Sequence, residues 1–139
     1  MARMLESYAI VRDDATLSVD GVRVHLAGLL IPKVSTVCTG RDRRLDCFDV
    51  DAATALERKI NSFVHCQVVA ERTDGSVDAF CSIQGRSSFD PREDLGAWLV
   101  SQGYAAVLPG APASYRVLER IARSQGIGIW SDAVEVMPP

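Results

Sequence analysis

The stretch "ATLSVDGVRVHLAGL", residues 15–29, alternates apolar and polar side chains on both sides of Asp20-Gly21. Asp-Gly is a strong two-residue hairpin signal, because a type I′ turn demands positive φ at both central positions. Folding the stretch about that turn sets Val19 opposite Val22, Leu17 opposite Val24 and Ala15 opposite Leu26. One face is then apolar, while the other carries Thr16, Ser18, Arg23 and His25. Two strands cannot bury such a face alone, and "SYAIVR" (7–12) supplies a preceding one.

Further along, the same alternation returns in "VHCQVVAERTDGSVDAFCSI" (64–83). Here Val64, Cys66, Val68 and Ala70 face Val77, Ala79, Cys81 and Ile83 across the turn "RTDGS". Between the hairpins, "DVDAATALERKINS" (49–62) changes to helical spacing, with Ala53, Leu56 and Ile60 on one stripe. "DPREDLGAWLVSQG" (90–103) reads as a helix over 91–103, with Asp90 as N-cap, Pro91 in the first turn, Glu93 completing a capping box and Gly103 as the stop. A last helix, "SYRVLERIARSQG" (114–126), starts at a Ser114 cap and buries Tyr115, Leu118 and either Ile121 or Ala122. Hairpins first and helices between and after them predict an α+β fold, a small closed or nearly closed β-barrel with three helices.

The chain has 139 residues, 47% of them hydrophobic, which is one domain's worth and enough to bury a core. A net charge of −3 argues against a duplex-binding surface, which needs a clustered excess of Lys and Arg. The one dense basic run, "GRDRR" (40–44), is diluted by Asp42 and Asp46. No run of 18 apolar residues occurs, so membrane insertion is not expected of this chain, and "MARMLES" is too short and polar for a complete signal peptide. An export signal or anchor lying outside the sequence stays open.

The order of segments, with "LSVDGVRVHLAGLLIP", "ALERKINSFVHCQVV", "DGSVDAFC", "WLVSQGYA" and "YRVLERIARSQGIGIW", resembles the staphylococcal nuclease (thermonuclease) family from about Tyr8 to Trp130. The resemblance implies a five-stranded OB-fold barrel with three helices over a single domain, 1–139. It also implies a site whose chemistry is missing here. Catalytic members open the first hairpin with Asp-Gly-Asp-Thr, whose calcium-binding carboxylate falls on Ala15 of "DDAT". Their first phosphate-contacting arginine falls on His25. Their Asp-x-Pro-Glu loop falls on Leu30, Pro32 and Lys33, so the second metal ligand and the water-orienting glutamate are replaced by leucine and lysine. Their Tyr-Gly-Arg motif falls on Asp74, Gly75 and Ser76, which removes the second arginine.

Calcium-dependent phosphodiester hydrolysis needs oxygen ligands for the cation, a base to orient water and cations to take up charge at phosphorus. Losing one such group costs about 10² to 10³ in rate. With all of them replaced, the resemblance implies a pseudoenzyme with no catalytic residues, no metal and no cofactor, residual calcium-dependent nuclease activity being the least favoured alternative.

Other chemistry has little support in the residues. His25 and His65 have no obvious partner in sequence and read as surface histidines. Cys38, Cys47, Cys66 and Cys81 lack the close C-x₂₋₄-C pairs of a zinc site. Trp98 and Trp130 read as core packing, and Tyr104 and Tyr115 as helix-end packing rather than the walls of a ligand groove. The exported members of the family resembled here carry cysteines at comparable places. Cys66 and Cys81 fall nearly opposite each other on paired strands, and of three pairings the one joining Cys38 to Cys47 and Cys66 to Cys81 is chosen. Bridges imply the periplasm or cell exterior, whereas reduced core thiols would imply the cytoplasm.

Two functions follow. One is a non-catalytic interaction or assembly module for another protein, as in the degenerate repeats of Tudor-nuclease scaffold proteins. The other keeps an OB groove for single-stranded nucleic acid or an oligosaccharide, with the acidic charge and lost arginines counting against nucleic acid. For the first, the expected surface is Leu29, Leu30 and Ile31 with Lys33, three apolar side chains where a metal loop would be. They are equally accounted for as fillers of the space that the metal and its ligands would occupy.

Overall fold

The computed structural model of the chain describes residues 3–32, 34–36, 51–60, 63–85, 91–131 and 134–136. The first hairpin joins β2 (Leu17–Val19) to β3 (Val22–Leu26) in the expected register, Leu17 with Val24 and Val19 with Val22. Asp20 and Gly21 take φ of +52° and +76°, the left-handed pair that an Asp-Gly turn supplies most cheaply. The apolar face is buried, with Leu17, Val19 and Val24 fully enclosed.

β1 (Met4–Val11) runs antiparallel to β2 on one side and to β6 (Phe63–Glu71) on the other. β6 turns back into β7 (Val77–Ile83), pairing Val64 with Ile83, Cys66 with Cys81 and Val68 with Ala79. The sheet then closes on itself, because β7 pairs in parallel with β3 through Val24–Val77, His25–Asp78 and Leu26–Ala79. The result is a closed five-stranded barrel in the order β1-β2-β3-β7-β6, an OB-like α+β architecture with no free edge between its strands.

Short strands and three helices cover the barrel. β4 (Leu29–Leu30) pairs with β9 (Ala106–Val107), and β5 (Val34–Thr36) with β10 (Val134–Val136). α1 (Ala52–Lys59) is capped by Asp51, which accepts from Ala53 N, and buries Ala52, Ala53 and Leu56. α2 (Leu95–Ser101) buries Leu95, Leu99 and Val100, and α3 (Ala113–Gln125) packs on it through Tyr115 and Ala122. Among the described residues no helix is long and apolar enough to cross a membrane.

The structure corrects four local expectations. α2 begins at Leu95 because Glu93 and Asp94 are first used as β8, pairing with Ile83 and Ser82. The cap is therefore Asp94, accepting from Gly96 N at 2.8 Å and Ala97 N at 3.2 Å, and Glu93 binds Lys59 Nζ at 2.9 Å instead of closing a capping box; Asp90 lies outside the described residues. α3 starts at Ala113 after Pro112, with no side-chain cap from Ser114, and it buries Ala122 while Ile121 is exposed. Ala70 is not on the inner face, since a bulge between Val68 and Ala70 turns the end of β6 outward. Ala15 does not oppose Leu26, because it belongs to the turn that joins β1 to β2.

Candidate functional site

The β1–β2 and β6–β7 connections have the same construction. In "RDDAT", Arg12 N donates to Thr16 O at 2.8 Å and Ala15 N to Arg12 O at 2.9 Å. In "RTDGS", Arg72 N donates to Ser76 O at 2.8 Å and Gly75 N to Arg72 O at 3.1 Å. Each loop holds its fourth residue left-handed, Ala15 at φ +65° and Gly75 at φ +88°. Each also holds an aspartate clamped on the residue two ahead. Asp14 Oδ1 accepts from Thr16 N (3.0 Å) and Oγ1 (2.6 Å), and Asp74 Oδ1 accepts from Ser76 N (2.9 Å) and Oγ (2.5 Å). Such a repeat was legible in the sequence as Arg-x-Asp-small-Ser/Thr, and the sequence reading missed it.

Because β3 and β7 run side by side, these twin turns end at one cleft of about 410 Å³. Asp14 forms an ion pair with Arg23, whose Nε also donates to Thr16 Oγ1 at 3.2 Å. Across the cleft Arg72 donates twice to Asp78 Oδ1, at 2.8 and 3.2 Å. Burial alone would raise the Asp14 carboxyl, but the hydrogen bonds from Thr16 and the Arg23 guanidinium bring it down to about 2. The cleft is thus flanked by two arginines, each already neutralised by its own carboxylate.

Of the five positions at which the resemblance sets a family's site residues, four are among the described residues. Ala15 is buried and lines the cleft. His25 and Ser76 meet, with Nε2 3.2 Å from Oγ. Ser76 is buried, and His25 is half-buried rather than the partnerless surface residue expected from sequence. Leu30 is 54% exposed. Lys33, the fifth position, lies outside the described residues, as do Cys38 and Cys47.

The apolar surface expected at 29–31 is narrower than the sequence suggests. Leu29 turns into the core when β4 pairs with β9, so it is not an interaction residue, and the alternation of the strand presents Leu30 outward. Ile31 is half-buried at the cleft wall. Two residues that sequence reasoning did not single out join the mouth: Val69, turned out by the bulge and 52% exposed, and Leu108, 40% exposed with its N–H on Gly28 O.

The arrangement constrains the chemistry. The Ser76 hydroxyl proton is held by Asp74 at 2.5 Å, so His25 donates to Ser76 Oγ and cannot serve as its base. Burial first, and then the nearby positive charge of Arg72, lowers the His25 pKa and favours that neutral donor. Among the described residues no three His, Cys, Asp or Glu side chains converge as metal ligands.

Elsewhere, Cys66 and Cys81 are joined by a disulfide that is buried across β6 and β7. His65 Nδ1 is buried without a hydrogen bond, with Glu6 Oε1 near it at 3.4 Å. Trp98 lies at 5.9 Å, centroid to centroid, from Tyr104, and Tyr115 Oη donates to the Asp94 carboxylate at 2.8 and 2.9 Å. Compared with family models and with curated proteins, the chain matches none.

Proposed function

We propose that this chain is a catalytically degenerate staphylococcal nuclease-like domain that acts as a protein-interaction or assembly module through the face of the vacated site. The observation that carries the reading is the cleft itself. The positions where the resemblance implies a ligand carboxylate and two phosphate-binding arginines hold Ala15, His25 and Ser76, and the last two are bonded to each other. The remaining charges, Arg23 with Asp14 and Arg72 with Asp78, are paired within the protein and leave little free positive field for a phosphodiester. Val69 and Leu108, apolar and exposed, line this neutral cleft with Ile31, and the exposed Leu30 lies between the lining residues Leu29 and Ile31 in the chain. A grouping of that kind at a rim suits the apolar centre of a protein interface.

The bridged Cys66–Cys81 pair is compatible with work in an oxidising compartment, the periplasm or cell exterior. A second reading, an oligosaccharide or single strand held on the barrel, is favoured by one observation. Tyr8, 69% exposed, and Phe63 pair edge-to-face across β1 and β6 with centroids 4.3 Å apart, which could present rings for stacking.

Photocrosslinking from position 30 in the native compartment, compared with position 8, tests the two readings. The interaction module requires crosslinks to a protein from position 30 that vanish in the Leu30→Asp/Ile31→Asp variant, with the thermal transition nearly unchanged. Capture that survives this double variant overturns it.

A further inference from the structure

α3 uses only part of its circumference to hold the fold. Tyr115 and Ala122 are buried, Leu118 is partly buried, and Glu119 Oε2 accepts from Val107 N at 2.6 Å, which fixes the inward side. Gly126 closes the helix at φ +63°, donating to the carbonyls of Ala122 and Arg123. The helix is fixed to the fold by its inner side, and its outer side is exposed.

On that outer side two stripes run in parallel. Val117 and Ile121, one turn apart, are 51% and 49% exposed. Arg116 and Arg120, also one turn apart, are exposed beside them and make no ion pair among the described residues. Arg123 continues the basic edge but is engaged, its guanidinium over the Trp130 ring at 4.6 Å from the centroid and 3.7 Å from Glu119 Oε1. Three arginines against one glutamate leave two positive charges on this helix, on a chain whose net charge is −3. Arg116 and Arg120 thus stand on the outside of an acidic protein, without an ion pair among the described residues and next to an apolar ridge.

We propose that the outer face of α3 docks an acidic amphipathic helix of a partner protein. Val117 and Ile121 form an i, i+4 ridge that fits between the side chains of a second helix, and Arg116 and Arg120 meet carboxylates along that helix's edge. Charge complementarity selects the occupant. A second α3 would bring like charges together, which excludes a symmetric pairing of this face. A nucleic-acid backbone would satisfy the arginines but set Val117 and Ile121 against phosphates. A bilayer would need a broad apolar face, and Tyr115 and Ala122 have already turned that side of α3 inward. With 13 residues the helix is about 20 Å long, enough for three turns of contact.

The test is an amide NMR titration of the full chain with a synthetic amphipathic peptide of about 18 residues, long enough to be helical, with leucine on one face and glutamate on its edges. The amides of Arg116 to Ser124 should shift. Affinity should fall at least tenfold in Arg116→Glu/Arg120→Glu and again in Val117→Ser/Ile121→Ser, with the thermal transition of each variant unchanged. The same peptide edged with lysine should not bind. Absence of shifts, shifts confined to other elements, equal binding of the lysine peptide, or a response of α3 only to phosphatidylglycerol vesicles or to oligothymidylate would each overturn the proposal.

Discussion

His25 Nε2 lies 3.2 Å from Ser76 Oγ, joining two residues 51 positions apart. Ser76 donates to Asp74, so the imidazole must donate in turn, and the chain Asp74–Ser76–His25 spans the seam where β3 and β7 close the barrel. Arg72, Arg23, Asp78 and Asp14 all act on this histidine, Arg72 the most strongly of the four. The seam is therefore both a structural joint and the floor of the cleft.

Acid should loosen this joint. The folded-state pKa of His25 lies below its ordinary value of 6.5, so protons bind the unfolded chain first. The contribution of His25 is complete above about pH 6.5 and is lost as pH falls through the lowered folded value. Urea unfolding between pH 7.5 and 5 should show a downward slope that flattens in His25→Gln, whose amide can still donate to Ser76. Equal slopes in the two proteins would show that His25 does not titrate abnormally.

Calcium should not activate cleavage. Ala15 and Leu30 supply no oxygen ligand, and Arg23 and Arg72 are bound to Asp14 and Asp78. Single-stranded DNA with millimolar calcium should yield no product above that of a boiled sample. Calcium-dependent product that disappears in Asp14→Asn or Asp78→Asn would reveal a relocated site.

Reduction of Cys66–Cys81 should cost about 2–4 kcal/mol of stability, the range for a bridge closing a loop of this size. Both cysteines are buried, so the reduced form also loses tight packing between β6 and β7. Unfolding curves with and without a phosphine reductant measure the difference. A change under about 0.5 kcal/mol would mean that the hairpin register alone supplies the constraint.

Gly96→Ala should destabilise although alanine is favoured in helices by about 1 kcal/mol. A Cβ at this position would stand 2.6 Å from Tyr115 Oη, the hydroxyl that binds Asp94 at the start of α2. Displacing that ring should cost about 1–3 kcal/mol, typical of overpacking. The pairing of Gly96→Ala with Tyr115→Phe decides the cause, since removing the hydroxyl should recover most of the loss in a thermal melt.

What the sequence determined by itself is whatever neighbours along the chain dictate. The Asp20-Gly21 turn, the alternation of Leu17, Val19 and Val24, the direct opposition of Cys66 and Cys81, and the helical spacing through Leu56 were all legible, because a turn type or a two-residue period acts within a few residues. Competition from outside the segment decided the rest. Asp94 rather than Asp90 bears on the start of α2 because pairing with β7 keeps Glu93 and Asp94 extended, and Val69 reaches the cleft mouth because a bulge changes the facing of β6. The candidate site depended most on distant contact. Its residues were readable one by one, but that His25 and Ser76 satisfy each other, and that Leu29 is core while Leu30 is surface, follows only when β3 meets β7 and β4 meets β9. Such pairings join segments tens of residues apart, and no local preference specifies them; they form because closing the barrel satisfies its edge strands and encloses the apolar faces of both hairpins together.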